Sequence, residues 1–277
     1  MHGGKLAYNP SKLKGNTAVE KLRYFLNEAK GRLQEKELDS GSKVRFRGDV
    51  LEVSVDRSEL NDKQDERESD SQIYIKTGVL ISILSKIISD AGYKPLVRTF
   101  PRFDEPDLVG FVYIGSNMDS QKRHRKNENI DHRIDGYELY LAERIASKRS
   151  LSLTLVEKSI DLRKMKDALL SSLKCSHCDE KNENIKAEIE AVAGKSIKEQ
   201  INKNVIIVSS RQNTPTAWIS TGFFLGEMME EMRIMDKVVK ALSLRSCPSY
   251  FQTELQQITE GSARYPQLVL VVESIHE

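Results

Sequence analysis

The sequence predicts an α+β protein whose elements run twice in nearly the same order. Two segments, 73–93 and 217–232, carry apolar residues on almost every helical face, which is typical of helices that are buried on all sides. Short stretches between them alternate apolar and polar residues, as half-buried strands do. Because this order recurs on both sides of a polar stretch at 116–135, we expect a mainly antiparallel sheet with helices in two similar halves.

In the first half, a helix is predicted after Thr17, which is placed to cap it. Alternation on either side of Gly48-Asp49 predicts a β-hairpin. The almost wholly charged stretch 57–70 predicts a surface loop, and Gly92 is placed to end the central helix that follows. Further strands are predicted at 96–98 and 111–114.

In the second half, the same pattern predicts helices near 137–147, 162–173, 182–202 and 217–232, with strands at 151–155, 205–208 and 268–272. These elements divide the chain into four parts. They are a polar N-terminal segment at 1–16, a first lobe at 17–115, a basic interlobe loop at 116–135 and a second lobe at 136–277.

Composition favours a folded protein of the cytoplasm. Hydrophobic residues make up 39% of the chain and charged residues 30%, and Lys+Arg 43 nearly balances Asp+Glu 41. We therefore expect neither a nucleic-acid partner nor a membrane, since we find no apolar run near the roughly 18 residues of a span. The start of the chain lacks the apolar core of a signal peptide, and three cysteines make no disulfide framework.

A series of short motifs runs through both halves. The first half has a strand that reaches Asp56-Arg57, then an acidic loop and a glycine-containing helix with a Gly-aromatic end. The motifs, in chain order, are Asp56-Arg57, Arg67-Glu68, Gly78, Gly92-Tyr93, Arg123-His124, Trp218 with Gly222, and Tyr265-Pro266-Gln267. In this order and spacing the chain resembles nitroreductase-family flavoproteins, above all the single-chain, two-lobed Acg-type group.

The resemblance implies a nitroreductase-like fold in which two lobes of one chain imitate the usual homodimer and hold FMN between them. It also implies NAD(P)H-dependent reduction of nitro-aromatic or quinone-like acceptors, with the redox chemistry carried by the flavin. The chain would act as a monomeric pseudo-dimer or as a homo-oligomer. Cofactor-binding positions implied by the matched motifs are Gly78, Arg123, His124, Arg125, Lys126, Trp218 and Gly222.

The sequence departs from the family pattern where the flavin would be held. Ser40, Ser42, Lys43 and Val44 stand in place of Asn, Gln, Pro and Trp; Ser82-Ile83 replaces Glu-Asn; and Asn127, Val271 and Glu273 replace Arg, Arg and Gly. Each lost guanidinium removes charge-assisted hydrogen bonds worth roughly 1.5–3 kcal/mol. A non-catalytic descendant that sequesters flavin, or binds another ligand or a protein, is therefore an equal alternative, and no catalytic residue is assigned.

Each candidate position also has a plainer interpretation. The run at 122–126 is either a phosphate clamp or a solvated basic loop, and it lacks the interleaved aromatic residues of a nucleic-acid site. Trp218 at the start of an apolar helix is either a flavin-stacking residue or, as lone tryptophans more often are, a packing residue. Gly78 and Gly222 permit close approach of two helices with or without a cofactor.

Cys175 and Cys178 have the spacing of half a zinc site or of a redox dithiol. A closed zinc site needs four ligands, and the sequence has no second Cys-x-x-Cys or His pair to supply them. Two incidental thiols in a polar loop are the favoured interpretation.

We expect the purified protein to hold no stoichiometric metal, because Cys175 and Cys178 lack partner ligands. Elemental analysis of the intact chain beside a Cys175→Ser variant measures this directly. One zinc per chain that disappears in the variant would contradict the prediction.

Overall fold

Two four-stranded antiparallel sheets, with helices packed on them, form the protein framework. The computed structural model describes residues 16–34, 41–57, 66–102, 104–117, 136–156, 161, 164–165, 204–243, 249–259 and 265–274. Within these ranges the predicted α+β class with antiparallel sheets is confirmed. The helices predicted near 162–173 and 182–202 lie almost wholly outside the described residues.

The first sheet joins a tight hairpin to a second pair of strands. In chain order its elements are α1 (Ala18–Gln34), β1 (Ser42–Arg47), β2 (Val50–Val55), α2 (Glu66–Asp90), β3 (Tyr93–Thr99) and β4 (Leu108–Asn117). The strand order is β1-β2-β4-β3, and all neighbours are antiparallel. Gly48 takes the positive φ of 61° that the tight turn between β1 and β2 requires, so the predicted hairpin is confirmed.

The second sheet follows the same plan. Its elements are α3 (Tyr137–Lys148), β5 (Leu151–Leu155), β6 (Asn204–Ser210), α4 (Pro215–Ile234), β7 (Lys237–Ser243), α5 (Ser249–Ile258) and β8 (Tyr265–Ser274). The strand order β5-β6-β8-β7 is the order of the first sheet, with each strand in its counterpart's place. A register shift even interrupts both sheets at a Val-Ser step, Val53/Ser54 in β2 and Val208/Ser209 in β6. The sequence pattern did not predict β7 or α5.

A capping box starts α1, as the placement of Thr17 predicts. The Glu20 backbone N–H donates to the Thr17 hydroxyl at 3.3 Å, and the Thr17 N–H donates to the Glu20 carboxylate at 2.7 Å. That bond from the Thr17 backbone, reinforced by the Thr17 hydroxyl, lowers the pKa of Glu20. The cap is therefore fully formed above the ordinary pKa of a glutamate and is lost as the pH falls through the lowered value.

The predicted loop at 57–70 is wrong in its last five residues, because α2 begins at Glu66. Arg and Glu have good helix propensity, so a charged stretch is compatible with the first turn of a helix as well as with a loop.

The predicted end of α2 is confirmed. Gly92 has a φ of 84°, and its N–H donates to the Ser89 carbonyl at 2.9 Å.

The two long helices α2 and α4 cross with their backbones in contact. A Cβ atom added at Gly222 would lie 2.1 Å from the Ile75 carbonyl oxygen, and one at Gly78 would lie 2.6 Å from the Ile219 carbonyl oxygen. Side chains along both helices are buried in one common core. The prediction that these helices are buried and pack against each other is confirmed, as is the role of both glycines in their close approach.

Matching residues meet around this crossing. A threonine precedes each glycine, and each hydroxyl donates to the carbonyl four residues earlier, Thr77 to Ile73 at 2.8 Å and Thr221 to Ala217 at 3.0 Å. Four residues before each glycine stand Tyr74 and Trp218, whose rings are 5.6 Å apart. The helices are thus related by a local near-twofold arrangement about the glycine pair.

Residues Asp70–Asp90 of α2 are long and apolar enough to cross a membrane by length and composition alone. The expectation that no stretch reaches this length was therefore too strict. The protein itself buries 72% of the segment, and the core helix of a folded domain has the same property.

Replacing Gly222 with alanine should lower the free energy of unfolding by about 3 kcal/mol, the upper end of overpacking costs, because the new methyl group meets backbone atoms that cannot rotate away. The matched control is Gly31→Ala in α1, where a Cβ atom meets nothing within 4 Å. That variant should gain up to about 1 kcal/mol from helix propensity. Urea unfolding followed by far-ultraviolet circular dichroism compares the two, and equal effects would contradict the crossing.

Candidate functional site

The structure separates the seven residues predicted to bind the cofactor into two groups. Gly78, Trp218 and Gly222 are described and lie together along the α2–α4 crossing. The four basic positions, Arg123, His124, Arg125 and Lys126, lie outside the described residues. So do Cys175, Cys178 and every histidine of the chain.

Trp218 sits in the first turn of α4, where the sequence Thr214-Pro215 starts the helix. The Thr214 hydroxyl accepts from the Ala217 N–H at 3.4 Å, and Pro215 occupies the first helical position, which needs no N–H donor. This start directs the Trp218 ring against Tyr74 and leaves it only 8% exposed. Its indole N–H donates to the Asn213 side-chain oxygen at 2.7 Å. Trp218 is therefore a packed residue with a satisfied donor.

A small chain of amides and a hydroxyl supports the tryptophan from the second sheet. Gln267, buried near the start of β8, donates from its amide nitrogen to the Ser210 hydroxyl at 2.9 Å. The same nitrogen lies 3.2 Å from the Tyr265 carbonyl and 3.5 Å from the Asn213 oxygen. Gln267 belongs to the Tyr-Pro-Gln motif but had no predicted role, and Ser210 and Asn213 were not predicted as functional residues. Asn213 directly precedes the helix cap, and this is the local signal that marks it.

The tyrosine side of the same aromatic pair is tied to the first sheet. The Tyr74 hydroxyl donates to the Pro106 carbonyl at 3.2 Å. Burial raises the pKa of Tyr74 above its ordinary value. Beside it, Arg57 bridges Asp70 at 2.7 Å and Asp107 at 2.8 Å, and the hydrogen bond that it donates to Asp107 raises the pKa of the guanidinium. Arg57 therefore fixes the start of α2 to the loop before β4.

Ion pairs connect α4 to other parts of the protein. Glu230 of α4 is only 3% exposed and lies 2.6 Å from Arg32 of α1 and 3.0 Å from Arg233. Glu227 of α4 pairs with Arg149, whose guanidinium lies 4.6 Å from the centre of the Phe223 ring. These contacts hold α1 and the end of α3 against α4.

The described residues fit the apolar part of a flavin site better than its polar part. Trp218 and Tyr74 are aromatic but only 8% and 2% exposed, and the polar groups near them already bond to one another. Ser82, at a position where the resemblance expects a contact to the flavin ring, instead donates to the Phe223 carbonyl at 3.1 Å. The cations for a phosphate would have to come from 122–126, outside the described ranges.

The chemistry within the described ranges is that of a binding or packing site. No group of three or more His, Cys, Asp or Glu residues there could hold a metal ion. No protein-family model and no curated protein matches the sequence. The nitroreductase resemblance therefore stays a prediction.

Asn213→Ala should lower the free energy of unfolding by about 1 kcal/mol, because it removes the acceptor of the part-buried indole N–H of Trp218. In a Trp218→Phe background, which has no such donor, the same change should cost less than about 0.5 kcal/mol. Gln212→Ala, one residue away and exposed, is the control and should change little. Circular dichroism is the readout because Trp218 is the single tryptophan of the chain. Equal costs of Asn213→Ala in both backgrounds would show that the bond is unimportant.

Proposed function

We propose that the chain is a nitroreductase-like protein in which two lobes imitate a homodimer and bind FMN weakly between them. The observation that carries the proposal is the α2–α4 pair, in which Thr77-Gly78 and Thr221-Gly222 occupy matching places on either side of a near-twofold crossing. The same strand order in both sheets supports a duplicated architecture. One chain then supplies both halves of the ligand site.

The joint between the halves is the natural place for the ligand. The aromatic rings of Tyr74 and Trp218 meet there, one from each central helix. The first half ends with β4 at Asn117 and the second begins with α3 at Tyr137, so the basic run 122–126 belongs to the segment that connects them. Arg123 and Arg125 of this run are the proposed phosphate ligands, since arginine offers paired donors to a dianion.

If flavin binds, it supplies the redox chemistry, and the chain supplies binding and orientation. NAD(P)H-dependent reduction of a nitro-aromatic or quinone-like acceptor is the activity that we propose on the resemblance. The described side chains that would serve it are those of the aromatic pair and the Asn213–Gln267 chain, through positioning alone.

A second candidate, a non-catalytic descendant of the same fold, is favoured by two positions. Val271, which replaces an arginine of the family pattern, is fully buried in β8 beside Val205 of β6. A charge there would lack water and a partner, so this strand is adapted to apolar packing. The Ser82 hydroxyl likewise already donates a hydrogen bond to the Phe223 carbonyl. In this case the joint between the two halves would sequester flavin, or bind another small ligand or a protein, without turnover.

Titration of FMN into the purified chain, followed by flavin fluorescence, tests the proposal. We expect weak binding that weakens further with added salt, because few cations remain to pair with the phosphate. Arg123→Ala should reduce the affinity by about tenfold or more, using about 1.4 kcal/mol per decade. Arg144→Ala removes an exposed arginine of α3 and is the matched control, which should leave the affinity unchanged.

The outcomes separate the two candidates. Tight binding that ignores both salt and Arg123→Ala would show that the phosphate site is misplaced. Absence of binding at millimolar FMN would reject the flavin proposal and favour the non-catalytic candidate. Binding without NAD(P)H oxidation in the presence of a quinone would favour sequestration over reduction.

A further inference from the structure

The first sheet has an outer face that no described helix covers. Leu51, Val53 and Val112 point into the core, so the alternate residues of each strand point the other way. The helices α1 and α2 contact the inner side, where the Phe25 ring lies 6.2 Å from the ring of Tyr93. The outer face is formed by Lys43, Arg45, Arg47, Val50, Glu52, Ser54, Lys94, Leu96, Arg98, Phe111 and Tyr113.

This outer face is positively charged. It carries five cations, of which Lys43 pairs with Asp56 at 2.8 Å and Arg47 with Glu52, while Arg45, Lys94 and Arg98 are the other three. Glu52 lies 3.6 Å from Arg47, which offsets part of its charge, and its side chain is only 12% exposed. Arg45, Lys94 and Arg98 form no ion pair with any described residue. Within the described part of the chain, these three charges are therefore unpaired.

Aromatic rings lie between the two rows of cations. Arg45, Glu52, Phe111 and Arg98 stand directly opposite one another on β1, β2, β4 and β3. Three strand spacings separate the outer two residues, which is about 14 Å. Tyr113 packs edge-on against Phe111 at 6.3 Å, and the Arg102 guanidinium lies 5.8 Å from the centre of the Phe111 ring. Leu96, the cross-strand neighbour of Tyr113, is 43% exposed. Charges on edge strands can serve simply to prevent the sheet from pairing with another chain. That role does not explain the aromatic rings on a central strand.

The second sheet provides the comparison within the same chain. The corresponding alternate positions of β6 and β8 are apolar and buried, namely Val205, Ile207, Val269 and Val271. The helix α5 contacts β8, and its Leu255 is fully buried. The same strand order therefore has a covered, apolar outer face in one half, and in the other a basic and aromatic outer face that none of the described helices covers.

We propose that the outer face of the first sheet binds single-stranded nucleic acid, with phosphates on the cations of β1 and β3 and bases against Phe111 and Tyr113. A four-stranded sheet with aromatic rings between basic residues is suited to this, because every base has a face that can stack and the backbone carries one charge per nucleotide. The near-neutral charge of the whole chain argued against such a partner. That balance averages over both halves, whereas binding depends on the local charge.

Fluorescence anisotropy with a labelled single strand of about 20 nucleotides, as DNA and as RNA, tests the proposal on the full chain. The double variant Arg45→Glu with Arg98→Glu should weaken binding at least tenfold and reduce its salt dependence. Tyr113→Ala should weaken single-strand binding and leave binding of a duplex of equal length nearly unchanged. The control pair Arg144→Glu with Lys148→Glu makes the same charge change on the exposed side of α3 and should have little effect.

Several results would overturn the proposal. They are no binding at low salt, equal losses in the control pair, or a loss caused only by Arg123→Glu with Arg125→Glu, which would assign the binding to the segment between the halves. Polyglutamate that competes as well as the single strand, with no effect of Tyr113→Ala, would indicate an acidic protein partner instead. Circular dichroism of each variant verifies that it is folded. Because these residues lie away from the α2–α4 joint, FMN binding by the same variants separates this proposal from the flavin proposal.

Discussion

The contact between Gly78 and Gly222 is the constraint on which the rest of the structure depends. With no side chain at either position, α2 and α4 approach until backbone meets backbone, and a Cβ atom on Gly222 would lie 2.8 Å from the Cα atom of Gly78. Helices this close have one register only. Tyr74 must then meet Trp218, and the polar groups beside the crossing must bond to their own helix or to the facing carbonyl, as Thr77 and Ser82 do.

Each central helix carries its own sheet, so the crossing also fixes the two sheets relative to each other. The ion pairs Arg32–Glu230 and Arg149–Glu227 then hold the surrounding helices to α4. Because burying a carboxylate offsets much of the attraction to its partners, the net stabilisation from Glu230 is smaller than its short contacts to Arg32 and Arg233 suggest. The aromatic pair at the joint is fixed as well, since Trp218 is held by Asn213 and Tyr74 by the Pro106 carbonyl.

The features that the sequence predicted are those with a local signal. Apolar residues on all faces identified α2 and α4, Thr17 identified the start of α1, and the short motifs of the resemblance drew attention to Gly78 and Gly222. The start of α2 was missed because charged residues suit a loop and a helix equally. No local pattern could pair Arg32 with Glu230, which is 198 residues away, or Gln267 with Asn213. The flavin positions at 123–126 stay predictions.

The outer faces of the two sheets differ in polarity although the strand order is the same. Alternation alone predicts a strand, but it does not say which of the two sets of residues faces the core, because that depends on register and on what covers the sheet. At Val271 a cover is present, and an arginine there would be buried without water. At Arg45 and Arg98 the described helices lie on the other side, and the same strand order keeps its charges in solvent. The buried Val271 and the charged Arg45 and Arg98 thus differ because described elements cover the outer face at one position and not at the others.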